Sequence, residues 1–322
     1  MHLRLNFATM PAIYDIIIMQ PTLISKPIFS FSLLLLLGFI WGTGYSIARF
    51  AMTNGVPPLG YSFWQSLGPA LIINLILFTR LKRIPFAFFS SRFYLICGLT
   101  GIVIPNTAMY FAASHLPASI LAMIVNTVPL LAYPMALFAR LEKFNWQRMA
   151  GIALAFSGLM FIILPKGSLP STTMTPWVLC TLITPLSFAF CSIYIARCRP
   201  QTDDVLTLTA GMLIISSLLL VPLVAFTHQF YSFHLPLNTA DWVIVLEIGL
   251  SSVGYLLFFY LIKAAGPVYY SLVDTIVVMT GLFWGYLLFG EHLNKWTSLA
   301  VIFIIIALLL VTRQQNKVMD AS

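Results

Sequence analysis

Ten apolar stretches, each long enough to cross a bilayer, run along the chain in two sets of five that share order, spacing and several residues. A membrane-spanning helix needs about 20 mostly apolar residues. The first set reads as spans near 28–48, 59–79, 93–114, 117–139 and 148–165, and the second near 176–196, 205–227, 242–263, 267–289 and 296–312. Since five is odd, the second set must enter the membrane from the side opposite to the first, so the two halves are related by inverted topology. The expected fold class is therefore an all-α polytopic membrane protein with ten transmembrane helices in two inverted five-helix repeats.

Composition agrees. Hydrophobic residues make up 60% of the 322 residues and charged residues only 8%, far below the roughly one quarter charged in soluble domains. The joining loops are short, which leaves no room for a soluble domain between spans. The net charge of +8 has no solvated face on which to build a nucleic-acid surface. With the N-terminus inside, 14 of the 17 basic residues fall on inner segments, leaving Arg49, Lys166 and Lys295 outside. The positive-inside rule then puts both termini in the cytoplasm.

The halves match residue by residue. Tyr110 and Pro117 are spaced as Tyr260 and Pro267 are, at the joins of spans three to four and eight to nine. Spans four and nine each finish in an E-x-x-N turn, Glu142 with Asn145 and Glu291 with Asn294. Asparagine caps a helix start by accepting from an unpaired backbone N–H, so Asn145 and Asn294 are placed at the starts of spans five and ten. Ile47-Ala48-Arg49 in the first span pairs with Ile195-Ala196-Arg197 in the sixth, and each arginine is expected to snorkel to its own interface.

The run Phe39-Ile40-Trp41-Gly42 followed by Arg49 resembles the opening of EamA-type members of the drug/metabolite transporter superfamily. Gly290-Glu291 with Asn294 before a last apolar helix, and its degenerate copy Leu141-Glu142, carry the same resemblance. It covers residues 29–312. It implies a ten-helix inner-membrane carrier, typically an exporter of amino acids or related metabolites, that works by alternating access without ATP. Within that frame, residues 1–27 are a cytoplasmic extension, 28–165 the first EamA-like repeat, 176–312 the second, and 313–322 a cytoplasmic tail. The first half has Leu141 where the second has Gly290, and span six lacks a Trp-Gly pair, so the halves need not line a pathway equivalently.

Two acids lie inside spans, where ionisable groups are costly and mark function by default. Glu247 sits about 9 Å below the outer end of span eight and Asp274 about 10 Å above the inner end of span nine, at 1.5 Å per residue. Each is read either as a static ion pair, Glu247 with Arg49 and Asp274 with Lys263 or Arg197, or as a proton-coupling site. The resemblance favours Asp274, because it implies that span nine borders the cavity.

Polar and aromatic residues form stripes at helical spacing: Trp41 with Tyr45, Asn106 with Tyr110, Ser119 with Met123 and Asn126, Ser187 with Cys191 and Tyr194, and Glu247 with Ser251 and Tyr255. Any one of them is more simply an interhelical hydrogen bond. Together they predict a substrate cavity lined by Trp41, Tyr45, Asn106, Tyr110, Asn126, Tyr194 and Tyr255, with spans two, five, seven and ten as scaffold. Pro105, Pro129, Pro134 and Pro185 interrupt the same helices. The spacings Gly38-x-x-x-Gly42 and Gly281-x-x-x-Gly285 allow close helix approach.

Motifs for zinc proteases, nucleophile elbows, P-loops and dinucleotide folds are missing from the sequence, and its four cysteines lack metal-ligand spacing. The reading is of a carrier, not an enzyme, without cofactor or metal. Its partners are a small-molecule substrate and the lipid bilayer, with no nucleic acid and the oligomeric state open. An intramembrane enzyme, a lipid-handling protein and a non-transporting assembly partner are the competing readings. Met19 opens a sequence that would serve equally as a start, and no cleaved signal is read before it.

Overall fold

The computed structural model describes residues 27–79, 92–163, 171–198, 205–270 and 273–319. The alternative start at Met19, Arg80 to Arg83, and Lys166 lie outside them. The described residues are helical, with no strand among them. Grouping collinear pieces, the helices are α1 Pro27–Thr53, α2 Pro58–Thr79, α3 Arg92–Ala113, α4 Ala118–Phe138, α5 Trp146–Ile163, α6 Thr175–Cys198, α7 Val205–Phe226, α8 Thr239–Tyr270, α9 Val273–Phe289 and α10 Lys295–Met319. Seven of these (α1 to α4 and α6 to α8) are long and apolar enough to cross a membrane, and α5, α9 and α10 contribute shorter apolar helices. Exposed Leu, Ile and Phe side chains are distributed over the outward faces of the helices, as expected of a bundle solvated by lipid.

Packing follows from small residues. Gly38 and Gly42 of α1 face α9 so closely that a Cβ on Gly42 would lie 2.5 Å from Thr280 Cβ and 2.8 Å from the Val277 carbonyl. On the other side of α9, Gly281 abuts Ala122 of α4. The seam is fastened by the Trp284 indole N–H, which donates to Thr43 Oγ1 at 2.8 Å. α5 and α10 pair through Gly158, Ala155 and Leu159 against Ala300 and Ile304, away from the centre. α2 packs on α7 and α8.

Prolines open two helices of the first repeat. Pro105 has no N–H to give, and the preceding turn of α3, Leu99–Val103, widens into a π-helix, a common way to absorb such a defect. Nearby carbonyls are taken up by neighbouring hydroxyls: Ser187 Oγ donates to Thr100 O and Thr184 Oγ1 to Pro105 O, at 2.7 and 2.8 Å. In α4 the helix stops at Val125 and restarts at Val128, with Pro129 in its new first turn. Asn126 and Thr127 bridge the gap, their side chains donating back to Ala122 O and Ile124 O. Backbone groups at membrane depth must be satisfied internally, and the polar residues beside these prolines do that.

The two E-x-x-N turns begin the next helix as expected. Asn145 Oδ1 accepts from the N–H groups of Gln147 and Arg148, and Asn294 Oδ1 from that of Thr297. The departure of Leu141 from Gly290 has a local cause. The left-handed residue that closes α9 is Gly290, at φ 61°, but the one that closes α4 is Arg140, at φ 55°, one position earlier relative to the glutamate.

The join at Pro267 differs from expectation. α4 starts directly after Pro117, whereas α8 runs through Pro267 to Tyr270 and α9 begins only at Val273. The difference follows from the cap: a carboxylate from another helix end, Glu291, meets the N–H groups of Ala118 and Ser119, while the matching Glu142 is held by Arg148 at 3.0 Å.

Candidate functional site

A central cavity of about 620 Å³ lies between the repeats. α1 contributes Trp41, Gly44 and Tyr45, α3 Asn106 and Tyr110, α4 Asn126 and Pro129, and α6 Phe188 and Cys191. From α8 come Glu247, Ser251, Tyr255 and Phe258, and from α9 Asp274 and Val277. Of the residues singled out from sequence, the structure thus brings together Trp41, Tyr45, Asn106, Tyr110, Asn126, Tyr255, Glu247 and Asp274. Tyr194 stands apart: it stacks on Phe93, ring centroids 5.9 Å apart, with Cys97 and Leu208 in the same apolar cluster.

Two helices expected as scaffold reach the cavity. α2 supplies Gln65, and α7 supplies Leu208, Thr209 and Met212. Gln65 and the three α7 residues belong to none of the polar stripes, in spans that read as carrying few polar residues apart from Asn74. α5 and α10 give no lining residue.

Gln65 is the hub of a directed hydrogen-bond chain. Asn106 Nδ2 donates to Gln65 Oε1 at 3.0 Å, Gln65 Nε2 to Ser251 Oγ at 3.5 Å, and Ser251 Oγ to Glu247 Oε1 at 2.8 Å. Every donor therefore points toward the carboxylate. Glu247 is 7% exposed, and its second oxygen, Oε2, has no hydrogen-bond partner among the described residues. Gly44 keeps α1 backbone beside it, since a Cβ there would sit 3.6 and 3.7 Å from the two oxygens. Across the cavity, Asn126 Nδ2 donates to Tyr45 Oη at 3.2 Å, at the break in α4.

The ion pairs differ from those considered from sequence. Arg49 does not pair with Glu247 and does not simply snorkel; it bonds Glu291 and lies over the Phe289 ring, 4.4 Å from its centroid. The fold brings Arg49 within reach of Glu291, whose side chain is only 9% exposed, and a buried carboxylate needs a counter-charge. Besides Arg49 it accepts from Ala118 N, Ser119 N and Ser119 Oγ. One carboxylate thus ties α1, the start of α4 and the end of α9 together. At the opposite end, Arg197 donates to the Ala139 carbonyl instead of reaching Asp274, and the Lys263 side chain lies outside the described residues.

The lining of the cavity runs from Gln65, Tyr110 and Glu247 on the Arg49–Glu291 side to Phe93, Ile195 and Leu208 near the opposite helix ends. No Lys, Arg or His lines it among the described residues.

Comparison with known proteins agrees with this architecture. A crystal structure 14% identical in sequence superposes with a TM-score of 0.63 over 91% of this chain and 99% of that one, so the fold is shared. Protein PecM of Dickeya dadantii (strain 3937) is 24% identical over 277 residues, 84% of this chain and 88% of PecM. The model of the EamA-like transporter family matches twice, at residues 28–164 and 175–313. With both halves matched, the chain belongs to the EamA-like transporter family.

Proposed function

We propose that the protein is a ten-span secondary transporter of the inner membrane, both termini cytoplasmic, that exports amino acids or related small metabolites by alternating access. The observation that carries this reading is the cavity. It lies between two repeats and holds two carboxylates among neutral polar and aromatic groups, and the Arg49–Glu291 pair ties helix ends together on one side of it. In the proposed orientation that side is the outer one, which supports reading this as an inward-facing form. α5, α9 and α10 complete the ten spans; α9 has 17 residues, about 25 Å at 1.5 Å per residue, and local thinning or tilt of neighbours accommodates it.

Substrate enters between α3, α6 and α7, rests at the level of Tyr45, Asn126 and Glu247, and leaves when the Arg49–Glu291 cluster opens. The broken α4 supports this role, because discontinuous helices at mid-membrane depth offer backbone groups to a ligand. Asp274, without a cationic partner among the described side chains, is the proposed proton-coupling acid. An enzyme would need reactive groups close together at one depth, and Glu247 and Asp274 sit at opposite ends of the cavity by their positions in α8 and α9. Reconstitution into liposomes with an imposed pH gradient tests the reading. Uptake of labelled amino acids, amines or nucleosides is expected, and failure to move any of the panel would sink it.

A further inference from the structure

We propose that Glu247 is the docking point for a protonated amine on the substrate, so that the cavity selects ammonium-bearing compounds with an aromatic or apolar body. This rests on the transport reading and adds the substrate's chemical class. Two other buried acids of the protein are well supplied with donors. Asp241 is fully buried and collects donors from Tyr231 Oη and Asn238 N, with His234 beside it. Glu291 collects Arg49, two backbone N–H groups and a serine hydroxyl. Glu247 alone among these three ends with an oxygen unsatisfied. A buried carboxylate left so is costly, and an ammonium supplies both the missing donor and the counter-charge.

The surroundings fit that group. The donors of Asn106, Gln65 and Ser251 all run toward Glu247 and end on Oε1, leaving Oε2 as the acceptor with no partner among the described residues. Gly44 removes the side chain that would fill the approach. Tyr110, Tyr45 and Trp41 line the same cavity and offer aromatic faces to a cation. With no basic side chain in the described lining, a substrate carboxylate finds no ionic partner, so an amine is preferred over the matching amino acid, and both over the matching acid.

The test is a matched series on purified protein in detergent, read as ligand-induced thermal stabilisation. The probes are tryptamine, tryptophan, indole-3-propionate and tryptophol, with the corresponding phenyl series. The expected order is amine, then amino acid, with the carboxylic acid weakest. Glu247→Gln should weaken the amines about 10- to 100-fold, the value of a charge-assisted hydrogen bond, while leaving the neutral alcohols unchanged. Retained alcohol binding shows that the variant is folded; Ser251→Ala provides a milder loss of amine binding. The proposal is overturned if acids bind as well as amines, if no amine binds, or if Glu247→Gln keeps full amine affinity. Transport of an anionic probe in liposomes would sink this proposal and leave the carrier reading standing.

A second proposal has an independent basis in the repeat. We infer that the Arg49–Glu291 closure has an inner counterpart, Arg197 with Glu142, and that transport exchanges one for the other. The four residues are equivalent pairs: Arg49 and Arg197 end the Ile-Ala-Arg motifs, and Glu291 and Glu142 open the E-x-x-N turns. Arg197 already contacts Ala139, three residues from Glu142. Glu142 meanwhile bonds Arg148 through Oε2. Glu291 caps the helix start after Pro117, whereas the equivalent position after Pro267 is still continuous helix. The structure thus holds one closure made and its mirror unmade, and making the inner one includes opening the helix at Pro267 for Glu142 to cap. Hydrogen–deuterium exchange of the native protein against Glu291→Gln tests this. Exchange should rise at 113–121 and fall at 139–148, and Glu142→Gln should leave 113–121 protected and 139–148 unprotected. A merely local loss in Glu291→Gln, with 139–148 unchanged, overturns the exchange.

Discussion

Single residues in this protein divide into those that hold helices together and those that face the cavity, and substitutions separate the two. Gly42→Ala places a methyl group where Thr280 Cβ and the Val277 carbonyl already stand. Overpacking of this kind costs about 1–3 kcal/mol, so a lower unfolding temperature in detergent is expected, with ligand binding altered only through the weakened α1–α9 seam. Asn294→Ala removes the cap accepted from Thr297 and should cost about 1 kcal/mol, measured the same way. Asp274→Asn acts on function instead: transport is expected to lose its dependence on the pH gradient while substrate binding persists. Normal, pH-dependent flux in that variant would remove Asp274 as the coupling residue.

At the scale of elements, the breaks matter more than the helices. α4 is divided at Asn126 and Thr127 because Pro129 cannot donate into the preceding turn, and Asn126 is thereby free to meet Tyr45. Pro129→Ala restores that donor and favours a continuous helix. Reduced transport with raised thermal stability is the expected outcome, and unchanged transport would show that the break is only structural. The prolines, the Gly-x-x-x-Gly spacings and the asparagine caps were all legible in the sequence, since each acts through its own backbone or through residues one turn away. What covered the opened carbonyls was not. Ser187 reads as a lumen residue from its stripe, yet its hydroxyl serves Thr100 O, and Ser119 serves Glu291, because a stripe gives a face without saying whether lumen or neighbour lies opposite.

For the whole molecule, the two repeats build one bundle whose halves differ in state. The first repeat has its helix break at Pro117 capped and closed over by Glu291, and the second runs unbroken through Pro267. A carrier that cycles should be locked by fixing the closed end. A disulfide joining residues introduced at Arg49 and Glu291 is expected to abolish flux reversibly on oxidation while amine stabilisation survives, because the cavity stays accessible from the other end. Flux that continues when the bond is formed would show that this end is not a gate.

The sequence by itself determined the helical class, the two-repeat organisation and the family, and it singled out eight of the residues that line the cavity. Apolar length, helical periodicity and repeated motifs are local or tandem signals that survive without knowledge of contacts. Only the tertiary structure decided partners. Arg49 turned to Glu291 and not to Glu247, Tyr194 turned to Phe93, and Gln65 joined Asn106 to Ser251. A buried charge or amide binds whichever complementary group the fold brings within hydrogen-bonding distance, and between residues some 240 positions apart, as Arg49 and Glu291 are, that distance is set by how the helices of the two repeats pack.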